Sequence, residues 1–195
     1  MKLLLHVCCA PCSTFTLNKL REQEIDVQGY FYNPNIHPFR EFSKRLTCLR
    51  DFAKEKNFII EMDTEYGLTE YLRKVVYHEK ERCTICYAMR LEKTAMQAVK
   101  SGADAFSSTL LYSRYQNHEA IVKIANKMAI KYGVDFYYDD FRSGWQEGID
   151  RAIEMNLYRQ PYCGCIYSEQ ERYDKKLQKK LREEKVQIKA ASSKG

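Results

Sequence analysis

Short β-prone runs alternate with helix-patterned stretches along this chain, and that alternation constrains the fold more than any other feature. Leu3–Val7, Val27–Tyr32, Phe58–Met62, Ala103–Ser107 and Val134–Tyr138 are expected strands. Helices are expected over Ser13–Glu24, His37–Lys56, Leu68–Val76, Thr84–Ser101, Asn117–Tyr132 and Gly144–Met155. In the second of these, Phe39, Phe42, Leu46, Leu49 and Phe52 make an apolar stripe. Ile121, Ile124, Ala125, Met128 and Tyr132 make another, and Gly102 and Gly133 stand where helices stop. Strands that alternate with helices form a parallel sheet covered on both faces. The expectation is one compact α/β domain, Rossmann-like, with a five-stranded, mostly parallel sheet. A length of 195 residues suits one domain. The domain is expected over residues 1–171, with a basic helix and tail over 172–195.

Sheets of this kind collect ligands beyond the C-terminal ends of their strands. The loops expected there are Cys8–Cys12, Tyr32–Pro38, Thr109–Gln116 and Asp139–Arg142. The first occupies the place of a phosphate loop in nucleotide-binding relatives. It contains no glycine, so it is no phosphate cradle. It contains three cysteines instead.

Seven of the eight cysteines lie in short-spaced groups: Cys8-Cys9-Ala10-Pro11-Cys12, Cys83-Thr84-Ile85-Cys86 and Cys163-Gly164-Cys165. Such groups suit soft-metal ligation or dithiol chemistry. Neighbouring Cys8 and Cys9 diverge in an extended segment, so both can serve one small ion only at a turn; a larger cluster accommodates them more easily. Cys83 and Cys86 converge at a helix start, where the helix dipole favours thiolate. These four make one ligand set, with Cys12 as a fifth candidate. Spacing alone leaves zinc, iron–sulfur and thiol-only chemistry open. Cys163 and Cys165 can close a small, strained and reducible disulfide around Gly164, or be two further ligands. Cys48, inside a helix pattern, reads as core, and His6 as a buried packed histidine.

Two loops offer polar groups. Asp140 beside Arg142 can act as a general acid or as an oxygen ligand, or simply lead into a helix. Tyr112, Ser113 and Gln116 can stack on and hydrogen-bond a base, with Arg142 as a further substrate contact. The net charge is +6, and the segment from Gln170 to Gly195 carries nine Lys/Arg against four Asp/Glu. That excess is a solvated helix or a contact for a polyanion such as RNA. The run Leu3–Val7 is too short for a membrane span or a signal-peptide core. A reducing, cytoplasmic setting is expected, where paired cysteines bind metal or do chemistry.

Taken in order, the motifs resemble one family. They are His6-Val7-Cys8-Cys9-Ala10-Pro11-Cys12-Ser13, Cys83-x-x-Cys86-Tyr87 with Arg90-Leu91, Ser108-Thr109-Leu110 with Ser113 and Gln116, Asp140-Phe141-Arg142, and Gln160-Pro161-Tyr162-Cys163-Gly164-Cys165. The family is that of the cobalamin-independent epoxyqueuosine reductases, QueH, and the resemblance runs from about Lys2 to Glu171. It implies reduction of the epoxide of epoxyqueuosine in tRNA to the alkene of queuosine. It implies a 4Fe-4S cluster on Cys8, Cys9, Cys83 and Cys86, with Cys163 and Cys165 as a redox-active pair. It allows a further iron beside the cluster, with Cys12 and Asp140 as candidate ligands. Its partners would be tRNA and an unidentified electron donor, with neither membrane nor DNA. From the residues alone, a zinc-stabilised α/β protein that binds or modifies RNA without redox chemistry is the alternative.

Overall fold

The structure, a computed structural model, describes residues 1–192. Its strands are β1 (Lys2–His6), β2 (Asp26–Phe31), β3 (Ile60–Met62), β4 (Ala105–Ser108) and β5 (Asp135–Phe136). Its helices are α1 (Ala10–Glu22), α2 (Phe39–Glu55), α3 (Leu68–Val75), α4 (Arg82–Ser101), α5 (His118–Tyr132), α6 (Trp145–Glu154), α7 (Ile166–Tyr173) and α8 (Lys175–Ser192). The five strands form one sheet in the order β3-β2-β1-β4-β5. Every pairing is parallel.

The central place of β1 follows from its sequence. Leu3, Leu4 and Leu5 are buried on both faces, and each contributes about 1.5–3 kcal/mol of apolar burial. Leu3 faces Val27 on one side and Ala105 on the other. The chain moves outward through α1 and α2 to β3, then returns through α3 and α4 to β4 on the far side of β1. Right-handed crossovers put the outward helices on one face and the returning ones on the other. Accordingly α1 packs against α2 and α6, while α4 packs against α3 and α5. Between β1 and β4 the strand order reverses, so their C-terminal ends open a crevice.

Several boundaries differ from the sequence expectation for identifiable reasons. Helix α1 begins at Ala10 rather than Ser13, because Pro11 presets its first turn; Cys12 is therefore helical, not in a loop. Helix α2 begins at Phe39 rather than His37, since Pro38 disfavours helical geometry at the residue before it. Strands β3 and β5 are shorter than expected, and both are sheet edges. Gly102 and Gly133 end α4 and α5 in left-handed conformations, as expected. The basic C-terminal segment is helical from Lys175, after a break at Asp174, and α7 precedes it. The end of the expected tail, residues 193–195, lies outside the described residues.

Candidate metal and redox centre

The crevice between β1 and β4 holds the first cysteine group. Cys8 leaves β1, Cys9 caps α1, and Cys12 lies one turn into the helix. The three Sγ atoms lie within 4.8 Å of one another. Cys8 Sγ and Cys9 Sγ are 3.7 Å apart, close to the ~3.8 Å edge of a tetrahedron with metal–sulfur bonds of about 2.3 Å. Thr109, just beyond β4, closes the crevice: its hydroxyl accepts from the Cys8 backbone N–H at 3.0 Å and donates to Cys8 Sγ at 3.2 Å. Gln160 Nε2 donates to Cys9 Sγ at 2.9 Å.

These contacts make Cys8 the natural thiolate of the group. Hydrogen bonds from the Cys12 and Cys9 thiols lower its pKa well below the ordinary value, against the penalty of burial. Burial pushes the Cys9 thiol up, and the hydrogen bond to Cys8 does the same to Cys12. His6 beneath them is fully buried, with a pKa lowered to about 4 by burial and by Arg90. As the neutral ring it donates to the Tyr32 carbonyl through Nε2 and accepts from the Ser108 hydroxyl through Nδ1.

The second group surrounds a cavity of about 20 Å³ that includes Cys83, Cys86, Cys163 and Cys165 in its lining. Cys83 and Cys86 occupy the first turns of α4. Burial raises both thiols, Cys86 to about 12. Cys163 is exposed and accepts from Gln116 Nε2 at 3.1 Å. Cys165 is buried and caps α7, accepting from the Ser168 N–H at 3.3 Å. All eight cysteines are free thiols.

The segment carrying Cys163 and Cys165 has no regular structure and is held by clamps. Arg45, buried on α2, donates to the carbonyls of Tyr162 and Cys163, at 2.9 Å each, and to Glu41 Oε1 at 2.7 Å. The His37 N–H donates to the Gly164 carbonyl at 2.8 Å, and the Tyr162 hydroxyl to the His37 carbonyl at 2.6 Å. Gly164 has φ of +145°, and a Cβ there would stand 3.0 Å from Asn35 Nδ2 and 3.1 Å from Arg45 Nη1. Both facts require glycine. Arg82 of α4 pairs with Glu171 of α7, tying that helix to the second group.

The four cysteines expected as one ligand set, Cys8, Cys9, Cys83 and Cys86, are thus divided between two groups, each with further thiols. Gln160 links the groups, touching Cys9 three residues before Cys163. Gln116 is at the site, bonded to the Tyr87 hydroxyl as well as to Cys163. Ser113 accepts from the Tyr115 N–H. Tyr112 is a core residue: it is buried, stacked near Trp145, with its hydroxyl donated to the Trp145 carbonyl. Asp140 is paired with Arg142 at 2.6 and 2.7 Å. That partner holds its pKa at about 2, so it is a carboxylate at neutral pH, suited to ligation rather than proton donation. The expectations for Cys48 and His6 agree with the structure, Cys48 being half-buried against the core.

Sequence reasoning passed over Thr109, Arg45 and Arg90 as contributors. Arg90, buried on α4, was visible only as part of a motif, and Thr109 as part of a motif and of the loop expected after β4. Neither arginine is distinguishable from a surface residue by its sequence neighbours.

The donor chemistry fits a soft metal: several thiols converge, and hydrogen bonds lower the pKa of one of them, Cys8. Four buried polar atoms at this end, Asn35 Oδ1, Arg82 Nε, Arg90 Nη2 and Gln160 Oε1, have no partner among the described residues. Fold and site together define a Rossmann-like α/β domain with a metal-competent, thiol-rich centre at its topological switch point. Within that class, the chain belongs to the QueH family: the family model described as epoxyqueuosine reductase QueH matches residues 3–171. A relative of that description from Dehalococcoides mccartyi is 41% identical over 174 residues, covering 89% of this chain and 96% of that protein. One from Streptococcus pyogenes is 37% identical, over 85% of this chain and 69% of that protein. One from Thermotoga maritima is 38% identical, over 88% and 92%. The family is one of oxidoreductases, which sides against the non-redox alternative. No described helix is long and apolar enough to cross a membrane.

Proposed function

We propose that this protein reduces the epoxide of epoxyqueuosine in tRNA to the alkene of queuosine, at the cysteine centre. The reading is carried by the gathering of seven cysteines into two linked groups where ligands bind in such a fold, together with the name its relatives share. Reduction of an epoxide to an alkene takes two electrons and two protons and releases water. A dithiol that becomes a disulfide supplies both, so the step balances as epoxide plus dithiol giving alkene, disulfide and water. Cys163, exposed beside Gln116, and Cys165, at the N-terminus of α7, take that role. An external two-electron donor then restores the dithiol.

Cys8, Cys9, Cys83 and Cys86 would hold a 4Fe-4S cluster, and Cys12 with Asp140 a further iron. Bound there, the cluster supplies single electrons and the iron a Lewis acid. Gln116, Ser113 and Arg142 flank the approach and offer hydrogen bonds to the modified base. Arg142 also keeps Asp140 ionised. The protein's own work is to place the base against the thiols and to exclude water. The protein acts in the cytoplasm, where the thiols stay reduced between turnovers.

The tight Cys8–Cys9–Cys12 triad favours a second arrangement of the same centre. In it, the triad holds a single ion and Cys83, Cys86, Cys163 and Cys165 form the four-thiolate set. Anaerobic purification with iron and sulfide analysis tests the function: a coloured protein that converts epoxyqueuosine tRNA supports it, and a colourless zinc protein without conversion refutes it. Cys163→Ala separates the two arrangements. Retained iron with loss of turnover supports the redox pair, and loss of iron supports the second.

A further inference from the structure

Two arginines are buried at this end of the molecule, and only one is neutralised. Arg45 is 3% exposed and Arg90 2%. Arg45 meets Glu41 at 2.7 Å, one turn away on its own helix, and two carbonyls besides. Arg90 meets no carboxylate among the described residues. The residue one turn before it is Cys86, whose carbonyl accepts from Arg90 Nε at 3.2 Å. Its guanidinium lies 5.9 Å from the Tyr87 ring centroid, and Nη2 has no partner among the described residues. A buried cation is sustained only by a counter-charge. Arg90 lines the same cavity as Cys83, Cys86, Cys163 and Cys165.

We propose that Arg90 is a positioning residue of the centre: its guanidinium is the fixed cation that faces the cysteines of this cavity and raises the reduction potential of the metal–sulfur group they hold. This rests on the redox-cofactor reading above. A reduced cluster is one charge more negative than an oxidised one, so a fixed cation in a buried site stabilises the reduced form.

The test is the midpoint potential of the anaerobically prepared, iron-loaded protein, with iron and sulfide content measured alongside. In Arg90→Gln, reduction becomes about tenfold less favourable at unchanged iron content, a fall of ~59 mV for a one-electron couple. Arg90→Lys recovers part of that fall. An Arg90→Gln protein with full iron and the parent potential overturns the proposal. Should Arg90→Gln fold, by circular dichroism, but load no iron, loading decides instead: iron restored in Arg90→Lys supports a requirement for charge, and Arg90→Lys as empty as Arg90→Gln overturns it. If Arg90→Gln does not fold, the Arg90→Lys potential decides: a value between parent and a tenfold loss supports the proposal, and failure of Arg90→Lys to fold as well overturns it by making Arg90 structural. An iron-free parent protein sinks the cofactor reading and the potential-setting role with it. A loaded parent with an unresponsive potential sinks the Arg90 role alone.

Discussion

Cys8, Cys9 and Cys12 are placed by regular structure, whereas Cys163 and Cys165 are placed by side chains. The first group spans the short link from a central strand into the first turn of a helix, with Thr109 reaching across from just beyond the next strand. The second pair sits between helices, on a segment fixed by Arg45, His37 and the conformation of Gly164. Sulfurs anchored between a buried strand and a helix start keep their spacing, which suits a permanent ligand set. Sulfurs on a clamped segment can change bonding partners without disturbing the sheet, which suits a pair that cycles between dithiol and disulfide.

The sharpest way to break this contrast is to remove one sulfur from each side. Cys8→Ser should lose iron and all activity. Cys165→Ala should keep iron and lose epoxide reduction, since the one remaining thiol cannot supply two electrons. Iron analysis and single-turnover assays on both variants check this; equal loss of iron would erase the distinction. Cys48→Ser should change neither.

The next largest effect concerns the clamp. Arg45→Met leaves Glu41 buried with only the Tyr158 hydroxyl as partner. It should cost about 3–5 kcal/mol of stability, measured by urea unfolding. The first cysteine group should keep its iron if the two regions are as separate as their construction implies.

His37 adds a pH dependence to the clamped side. Its ring is buried against Tyr66 and Tyr71, and burial lowers its pKa from 6.5 to about 4. Between those values the unfolded chain binds a proton that the folded one does not, so stability rises with pH across that window. Its full contribution is present above pH 6.5 and is lost as pH falls toward 4. The loss is at most about 3 kcal/mol. Urea midpoints measured across this range should show it, and His37→Phe should flatten the slope.

Gly164→Ala forces a side chain into a positive-φ conformation against Asn35 and Arg45. A destabilisation of about 1–3 kcal/mol is expected, with slower turnover and unchanged iron. Thermal unfolding and rate assays check it. The smallest effect belongs to α8, where Lys175, Lys176, Lys179 and Lys180 are exposed. If they meet tRNA phosphates, changing them to Gln should flatten the logarithmic dependence of binding on salt by about 0.7 for each phosphate no longer neutralised. An unchanged salt titration would mark α8 as a solvated helix.

Periodicity and cysteine spacing made the alternation of strands and helices, the helix stops at Gly102 and Gly133, and the cysteine-rich switch point legible in the sequence, because these depend on neighbours within a turn or two. Helix starts were less legible, since Pro11 and Pro38 act through backbone geometry that an apolar stripe does not report. What the sequence by itself determined is a parallel α/β sheet with thiols at the end of its first strand. Only the tertiary structure decided how those thiols are shared: residues some eighty and one hundred and fifty positions apart meet because β1 and β4 are neighbours and Arg45 pins the C-terminal segment. It also decided that Arg45 has a carboxylate and that Arg90, among the described residues, has none. Counter-charge is a property of what surrounds a group in space, and in a sequence the two arginines look alike.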